Sequence, residues 1–141
     1  MDGRDVSPDD RFEVNMAGYL TTGLMLIVAA IHLAPITGFF GTRPLHALYG
    51  IEVESPDLEI LMRHRAMLFG ILGAFFAYAA FVPQLQPVAF VAATASLASF
   101  FYLAVAVGNY GAPIRKVVIA DVVAAVCLAG AVLCHAVDRA G

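Results

Sequence analysis

One stretch of the chain, residues 55–82, sets the strongest limit on what the chain can fold into. It reads SPDLEILMRHRAMLFGILGAFFAYAAFV, and its last seventeen residues, 66–82, carry no charge. Ser55 suits a helix N-cap, and Pro56 suits the first helical position because proline has no N–H to leave unpaired. A helix over 56–82 would be roughly 40 Å long at ~1.5 Å per residue, longer than the ~30 Å hydrocarbon core of a bilayer. The stretch therefore predicts a transmembrane helix whose charged first turns stand in the interface.

Three further apolar runs accompany this stretch. The 141-residue chain is 61% hydrophobic and only 13% charged, whereas soluble domains are about half apolar and a quarter charged. We therefore expect an all-α integral membrane protein, a four-helix bundle with antiparallel up-down connectivity. The bundle forms a single domain over residues 16–138, with spans at about 16–34, 56–82, 88–107 and 113–137.

Two segments fall outside the predicted spans. Residues 1–15 are polar, contain a Ser-Pro-Asp-Asp turn signal and show no apolar periodicity, which predicts an N-terminal tail. The connection between the first two helices contains Phe39, Phe40 and Tyr49 and is too apolar for a solvated linker, so we expect an interfacial loop there. Within the spans, small residues recur at four-residue spacing, which lets helices pack closely in lipid. Examples are Gly70 with Ala74, Gly73 with Ala77, and Ala95 with Ser99.

Lysine and arginine counts give an orientation. The first and third connections with their helix ends hold five such residues, against three on the side of the termini. Because cytoplasmic loops carry the excess of Lys and Arg, this count favours termini outside the cytoplasm. The expected location is the cytoplasmic (inner) membrane of a bacterium.

The predicted topology brings polar side chains together at the membrane face that holds the first and third connections. Asp121 is the most informative, because it lies eight residues after Pro113, roughly 12 Å into the last span at ~1.5 Å per residue. An Asp near the centre of a span costs about 3 kcal/mol, so it should face the bundle interior and find a partner or take up a proton. Arg65 and His64 are the expected partners.

Two interpretations of this polar face stay open. Asp121 and Arg65 can form a structural ion pair that fixes helix register, or they can belong to a functional site. In the functional interpretation, Asp121 and His64 are the candidate catalytic residues, His64 because its two flanking arginines disfavour the protonated imidazole. The candidate ligand-binding residues are Arg65, Arg63, His32, His46, Tyr49 and Tyr110. Arg63 can also pair with Glu59, four residues earlier on the same helix.

The residue inventory limits the cofactors and partners. The formal charge of −3 and the acidic N-terminal segment argue against nucleic acid. The chain has no HExxH, no Cys-x-x-Cys and no carboxylate cluster with ligand spacing, so no metal site is predicted. His32 and His64 are the histidine pair at comparable depth, which keeps haem open, and a quinone is open as well. The cofactor is therefore unassigned.

The run LYGIEVESPDLEILMRHRAMLFGILGAFF and the segment from Tyr110 to Asp121 carry a family resemblance. They resemble small four-helix bacterial membrane proteins of the DoxX-like and DUF4345-like kind. The resemblance implies a fold and, for some DoxX-like proteins, a partnership with quinone-linked oxidoreductases. Similar chains are sometimes labelled phosphopantetheine adenylyltransferase, a soluble α/β enzyme with a His-x-Gly-His phosphate site. This chain has neither feature, so we reject that label.

Together these observations give two expectations for function. The first is a small polytopic membrane protein that acts as a partner subunit or binds a lipophilic small molecule, whose headgroup the polar face orients. The second is a membrane-embedded enzyme, an acid–base isomerase or a component of a quinone-linked oxidoreductase, that acts on a lipophilic substrate. The expected partners are the lipid bilayer, the small molecule, and a membrane protein or a second copy of the chain.

Overall fold

The computed structural model describes the backbone of residues 8–140 and the side chains of residues 16–139. Between residues 8 and 140 the chain is helical with no strand. The α-helices are α1 (Pro8–Leu33), α2 (Thr42–Tyr49), α3 (Pro56–Ala79), α4 (Gln86–Val107) and α5 (Ala112–Ala140), and short 3-10 helices cover Ala34–Phe40 and Pro83–Leu85. Within this described part of the chain, four segments are long and apolar enough to cross a membrane, namely Met16–Phe40, Pro56–Ala79, Pro83–Val107 and Ala112–Arg139. The predicted all-α, four-helix membrane bundle is confirmed.

The four long helices follow one another around the bundle in chain order. α1 packs most extensively against α5 and next against α3, while α4 contacts α5 and, more sparingly, α3. The apolar core between them includes Val28 from α1, Phe76 from α3, Ala93 from α4 and Leu128 from α5. This arrangement matches the predicted up-down connectivity, with one loose interface between α3 and α4.

The first helix begins earlier than expected. Of the predicted polar tail, residues 1–7 lie outside the described part of the chain, but residues 8–15 form the first two turns of α1. The Ser-Pro-Asp pattern of residues 7–9, interpreted above as a turn signal, also occurs at residues 55–57, where α3 begins. Proline in the first turn followed by acidic residues favours a helix start, so the same pattern can begin both helices.

Both ends of α3 are satisfied by side chains. At its start, the Ser55 Oγ accepts a hydrogen bond from the Leu58 N–H at 3.2 Å, which confirms the predicted cap. At its end, the Ala80 carbonyl accepts hydrogen bonds from Thr22 Oγ1 at 3.0 Å and from the Gln86 side-chain amide at 3.3 Å. α3 ends at Ala79, three residues before the predicted end at Val82, and these bonds supply partners for the carbonyl of its C-cap residue.

The connection between α1 and α3 is part of the bundle rather than a loop lying only in the interface. Its 3-10 helix packs against α3, and α2 packs on that 3-10 helix. Leu45 is fully buried and Tyr49 nearly so. Gly50 then ends α2 in the left-handed conformation, with φ +62°, and its N–H donates to the His46 carbonyl at 2.8 Å. α2 is thereby held over one end of the bundle.

Small residues bring α1 and α3 together but leave α3 and α4 apart. A Cβ added to Gly73 would lie 2.8 Å from the Leu33 backbone nitrogen and 3.0 Å from the Ala29 carbonyl oxygen, so the two backbones meet there. On α4, by contrast, Ala95 and Ser99 are exposed in a groove beside α3. The four-residue spacing predicted close packing on both helices. It occurs on α3, where a Cβ added to Gly70 would also lie 3.2 Å from the Ile36 Cβ, and it does not occur at Ala95 and Ser99 of α4.

Candidate functional site

A cavity of about 300 Å³ lies where α1 and α4 end and α3 and α5 begin. All four long helices and α2 contribute to its walls. Most of the lining is apolar or aromatic, including Phe69 and Phe100. Its polar and charged lining consists of His32, Tyr49, Arg65, Lys116 and Asp121. Arg65 and Asp121 each lie nine residues inside their helix, roughly 14 Å from its first residue at ~1.5 Å per residue.

Arg65 is held by two aromatic rings. The central carbon of its guanidinium lies 5.4 Å from the Tyr49 ring centroid and 5.2 Å from that of Phe69. Both distances are within the ~6 Å range of cation–π attraction, which partly compensates a guanidinium for lost water. Among residues 16–139, Arg65 has no carboxylate partner and donates no hydrogen bond to protein. The rings therefore position the guanidinium, and its N–H groups have no acceptor among residues 16–139.

Asp121 completes the charge pattern of the cavity. Within the described side chains, no ion pair of 4.0 Å or less joins it to Arg65, and no protein donor contacts its carboxylate. The structural ion pair considered from the sequence is therefore not formed. The cavity holds two cationic side chains, Arg65 and Lys116, against this one carboxyl group. An anionic or acceptor-rich group is thus favoured inside it.

Tyr49 adds a neutral hydroxyl to the same cavity. Burial of its side chain raises the pKa of the phenol above the usual value of 10.0. The Arg65 charge lowers that pKa, and the Asp121 carboxylate raises it. The phenol is consequently protonated at neutral pH and can donate a hydrogen bond into the cavity.

His32 lies at the inner wall and joins two helices. Its side chain is 2% exposed, Nδ1 lies 2.9 Å from the Val28 carbonyl oxygen, and Nε2 lies 3.2 Å from Ser96 Oγ on α4. Its ring packs edge-on against Phe76, with centroids 4.9 Å apart. Because both ring nitrogens are engaged, this histidine links α1 to α4 and presents mainly its ring to the cavity.

The other predicted site residues lie outside the cavity. Arg63 forms the expected ion pair with Glu59 at 2.8 Å and also donates from Nε to the Phe39 carbonyl at 2.8 Å, so it anchors the 3-10 segment. His64, His46 and Tyr110 are exposed and do not line the cavity. Of the eight candidates, the structure brings together four: His32, Tyr49, Arg65 and Asp121.

Among the cavity residues that were not predicted as site residues are Phe69, Lys116 and Phe100. Helical spacing could have found Phe69, because it lies four residues after Arg65 on the same helix face. Lys116 lies five residues before Asp121, a spacing that does not place two residues on one helix face, so helical spacing does not single it out. Phe100 carries no comparable sequence signal, because α4 is apolar on every side and the spacing of its apolar residues does not mark one face.

The cofactor ligands considered from the sequence are not assembled. His32 is enclosed with both nitrogens engaged, while His64 is exposed on α3. No cluster of three or more His, Cys, Asp or Glu side chains occurs within residues 16–139. The cavity therefore offers charges and a phenol, and no set of ligands for an iron centre.

Comparison with family models, with curated proteins and with solved structures finds no match to this chain. The DoxX-like resemblance thus stays a prediction from the sequence.

Proposed function

We propose that this protein binds a lipophilic small molecule in the membrane and holds its polar headgroup in the cavity between Arg65 and Asp121. One observation carries the proposal: Arg65 and Asp121, two of the three charged side chains that line the cavity, have opposite charges and lack ion-pair and hydrogen-bond partners among residues 16–139. A charge removed from water without a partner is costly. A headgroup that pairs with both side chains would remove that cost, and the free energy recovered would contribute to its binding.

The cavity favours one class of headgroup. Arg65 requires an acceptor, a carbonyl or anionic oxygen, and Asp121 as a carboxylate requires a donor such as a hydroxyl. A volume of about 300 Å³ lies at the lower end of small-molecule sites, which suits a single ring rather than a large molecule. We therefore propose a ring-sized headgroup that carries an acceptor and a hydroxyl.

The cellular setting is part of the same proposal. The Lys and Arg count supports an orientation with both termini outside the cytoplasm, and the DoxX-like resemblance supports a bacterial cytoplasmic membrane. That orientation would open the cavity toward the cytoplasmic face. A DoxX-like relationship would make the chain a partner subunit that presents its ligand to another membrane protein, or to a second copy of itself.

Binding of butyl para-hydroxybenzoate to the full chain in nanodiscs tests the proposal. This probe has a ring, an ester carbonyl for Arg65 and a phenol for Asp121. Arg65→Gln should weaken binding at least about tenfold, because a hydrogen bond to a charged group contributes about 1.5–3 kcal/mol. Arg43→Gln, an exposed position on α2 away from the cavity, is the matched control and should bind like the native chain. Absence of binding to the native chain, or equal affinity in Arg65→Gln, would refute the proposal.

The unpaired Asp121 carboxyl also favours a second candidate, an enzyme that performs acid–base chemistry on a lipophilic substrate. A carboxyl group beside the Tyr49 phenol could accept and return a proton during an isomerisation. Incubation of the native chain and Asp121→Asn with a total lipid extract of the expression host, followed by mass spectrometry, tests this candidate. A product formed by the native chain and absent with Asp121→Asn supports the enzyme, and identical lipid profiles exclude it for those lipids.

A further inference from the structure

A groove runs along the outside of the bundle between α3 and α4. It has a volume of about 440 Å³, and α3 contributes Leu68, Phe69 and Leu72 to it, while α4 contributes Ala92, Ala95, Ser96 and Ser99. The groove exists because the α4 side chains facing α3 are small and the two helices make few contacts there. A bundle that packed these helices as closely as α1 and α3 would have no such groove.

The groove begins at the wall of the headgroup cavity. Phe69 lines both spaces, so the two adjoin at this side chain. Ser96 in the groove donates from Oγ to His32 Nε2 at 3.2 Å, because Nδ1 of this neutral ring donates to the Val28 carbonyl. The cavity and the groove therefore form adjoining parts of one surface.

The groove is chemically suited to hydrocarbon. Its two polar side chains are already paired, since Ser99 Oγ donates to the Ser96 carbonyl at 2.8 Å and Ser96 Oγ bonds to His32. Its remaining lining is Ala, Leu and Phe, and it contains no charged side chain. From Ala92 to Ser99 it extends roughly 10 Å along α4 at ~1.5 Å per residue. It thus offers an apolar channel that leads away from a charged cavity.

We infer that the α3–α4 groove holds the hydrocarbon chain of a single-chain amphiphile whose headgroup lies in the cavity. This inference rests on the proposed function and adds the class of ligand, a ring headgroup that carries one flexible apolar chain. The chain lies against α3 and α4 instead of in free lipid. Contacts along the groove add affinity that the headgroup alone does not have.

A pair of esters and a pair of variants test the inference. Methyl and dodecyl para-hydroxybenzoate share a headgroup and differ in chain length. Ala95→Phe fills the groove, while Ala98→Phe adds the same side chain at an exposed α4 position three residues away, outside the groove. Partition of the long ester into the nanodisc lipid is the same for both variants, so it cancels in the comparison.

The expected result is specific to the long chain. Ala95→Phe should weaken binding of the dodecyl ester at least about tenfold and leave the methyl ester unchanged, whereas Ala98→Phe should change neither. Equal binding of the dodecyl ester to both variants would overturn the groove assignment while leaving the headgroup site intact. Failure of both esters to bind the native chain would overturn the proposed function and the groove with it.

A labelling experiment covers the case in which Ala95→Phe does not fold. A dodecyl ester with a diazirine near the end of its chain is photolysed on the native protein, and the labelled residues are located by mass spectrometry. Labels at Leu72, Ala92 or Ala95 support the inference. Labels confined to the outer faces of α1 and α5 refute it.

Discussion

Arg65 and Asp121 line one cavity from two different helices, α3 and α5, and no ion pair joins them. The Tyr49 and Phe69 rings hold the guanidinium instead, at 5.4 and 5.2 Å from their centroids. Because neither charged side chain has an ion-pair partner among residues 16–139, we expect a variant at either position to change the proposed headgroup binding more than the stability of the fold.

Asp121→Asn should leave the fold intact. Among residues 16–139 the carboxylate has no ion-pair or hydrogen-bond partner to lose, and a partly buried, unpaired charge is unfavourable, so the free energy of unfolding should stay equal or rise by about 1–3 kcal/mol at most. Thermal unfolding of detergent-purified protein measures the change, with the exposed Glu52→Gln as control. Affinity for butyl para-hydroxybenzoate should fall in the same sample. A large loss of thermal stability would indicate that Asp121 is a structural partner after all.

His32 and Ser96 should be energetically coupled. Their side chains meet at 3.2 Å across α1 and α4, and hydrogen bonds between membrane helices contribute about 0.6 kcal/mol on average. A double-mutant cycle of His32→Phe and Ser96→Ala, followed by reversible unfolding in mixed micelles, should return a coupling energy of that order. Ser99→Ala is the control, since Ser99 bonds within its own helix and should show no coupling to His32. A zero coupling for Ser96 would argue against this link.

Gly73→Ala should separate α1 from α3. The new Cβ would lie 2.8 Å from the Leu33 nitrogen, and backbone atoms cannot rotate away as a side chain can. We expect a destabilisation of about 1–3 kcal/mol, as for overpacked cores, measured by thermal unfolding. Gly23→Ala on α1 meets nothing within 4 Å and should be neutral or stabilising. Equal stability of the two variants would contradict the close approach.

Gly50→Ala should disturb the end of α2. Gly50 has φ +62°, where a side chain costs roughly 1–2 kcal/mol, and an added Cβ would lie 2.6 Å from Pro113 Cγ at the start of α5. The variant should unfold at lower temperature and bind the butyl ester more weakly, because Tyr49 of the cavity precedes this glycine. Gly111→Ala serves as comparison, since its Cβ would make an ordinary 3.6 Å contact with Pro113. Native affinity in Gly50→Ala would show that the cap does not position Tyr49.

The apolar runs and the helix-capping residues of the sequence were sufficient to predict the membrane-spanning helices. Long uncharged runs require backbone groups to be paired within the segment, which leaves only helices for chains of this length in lipid. The Ser55 cap and the Glu59–Arg63 pair were predictable for a similar reason, because each depends on residues within four positions of one another. The start of α1 was not predicted, because the Ser-Pro-Asp pattern is typical both of a turn and of a helix N-terminus.

The sequence by itself therefore determined the four membrane-spanning helices and their order, because those follow from local hydrogen bonding and from the transfer of apolar residues into lipid. It also singled out Arg65 and Asp121 as costly charges that need an explanation. It did not predict α2, which lies in the segment expected to be an interfacial loop. Only the tertiary structure decided that the two charges share a cavity without pairing and that His64 lies outside it. Rotation of each helix about its axis decides such contacts, and that rotation depends on packing such as the approach of Gly73 to Leu33, which no single segment encodes.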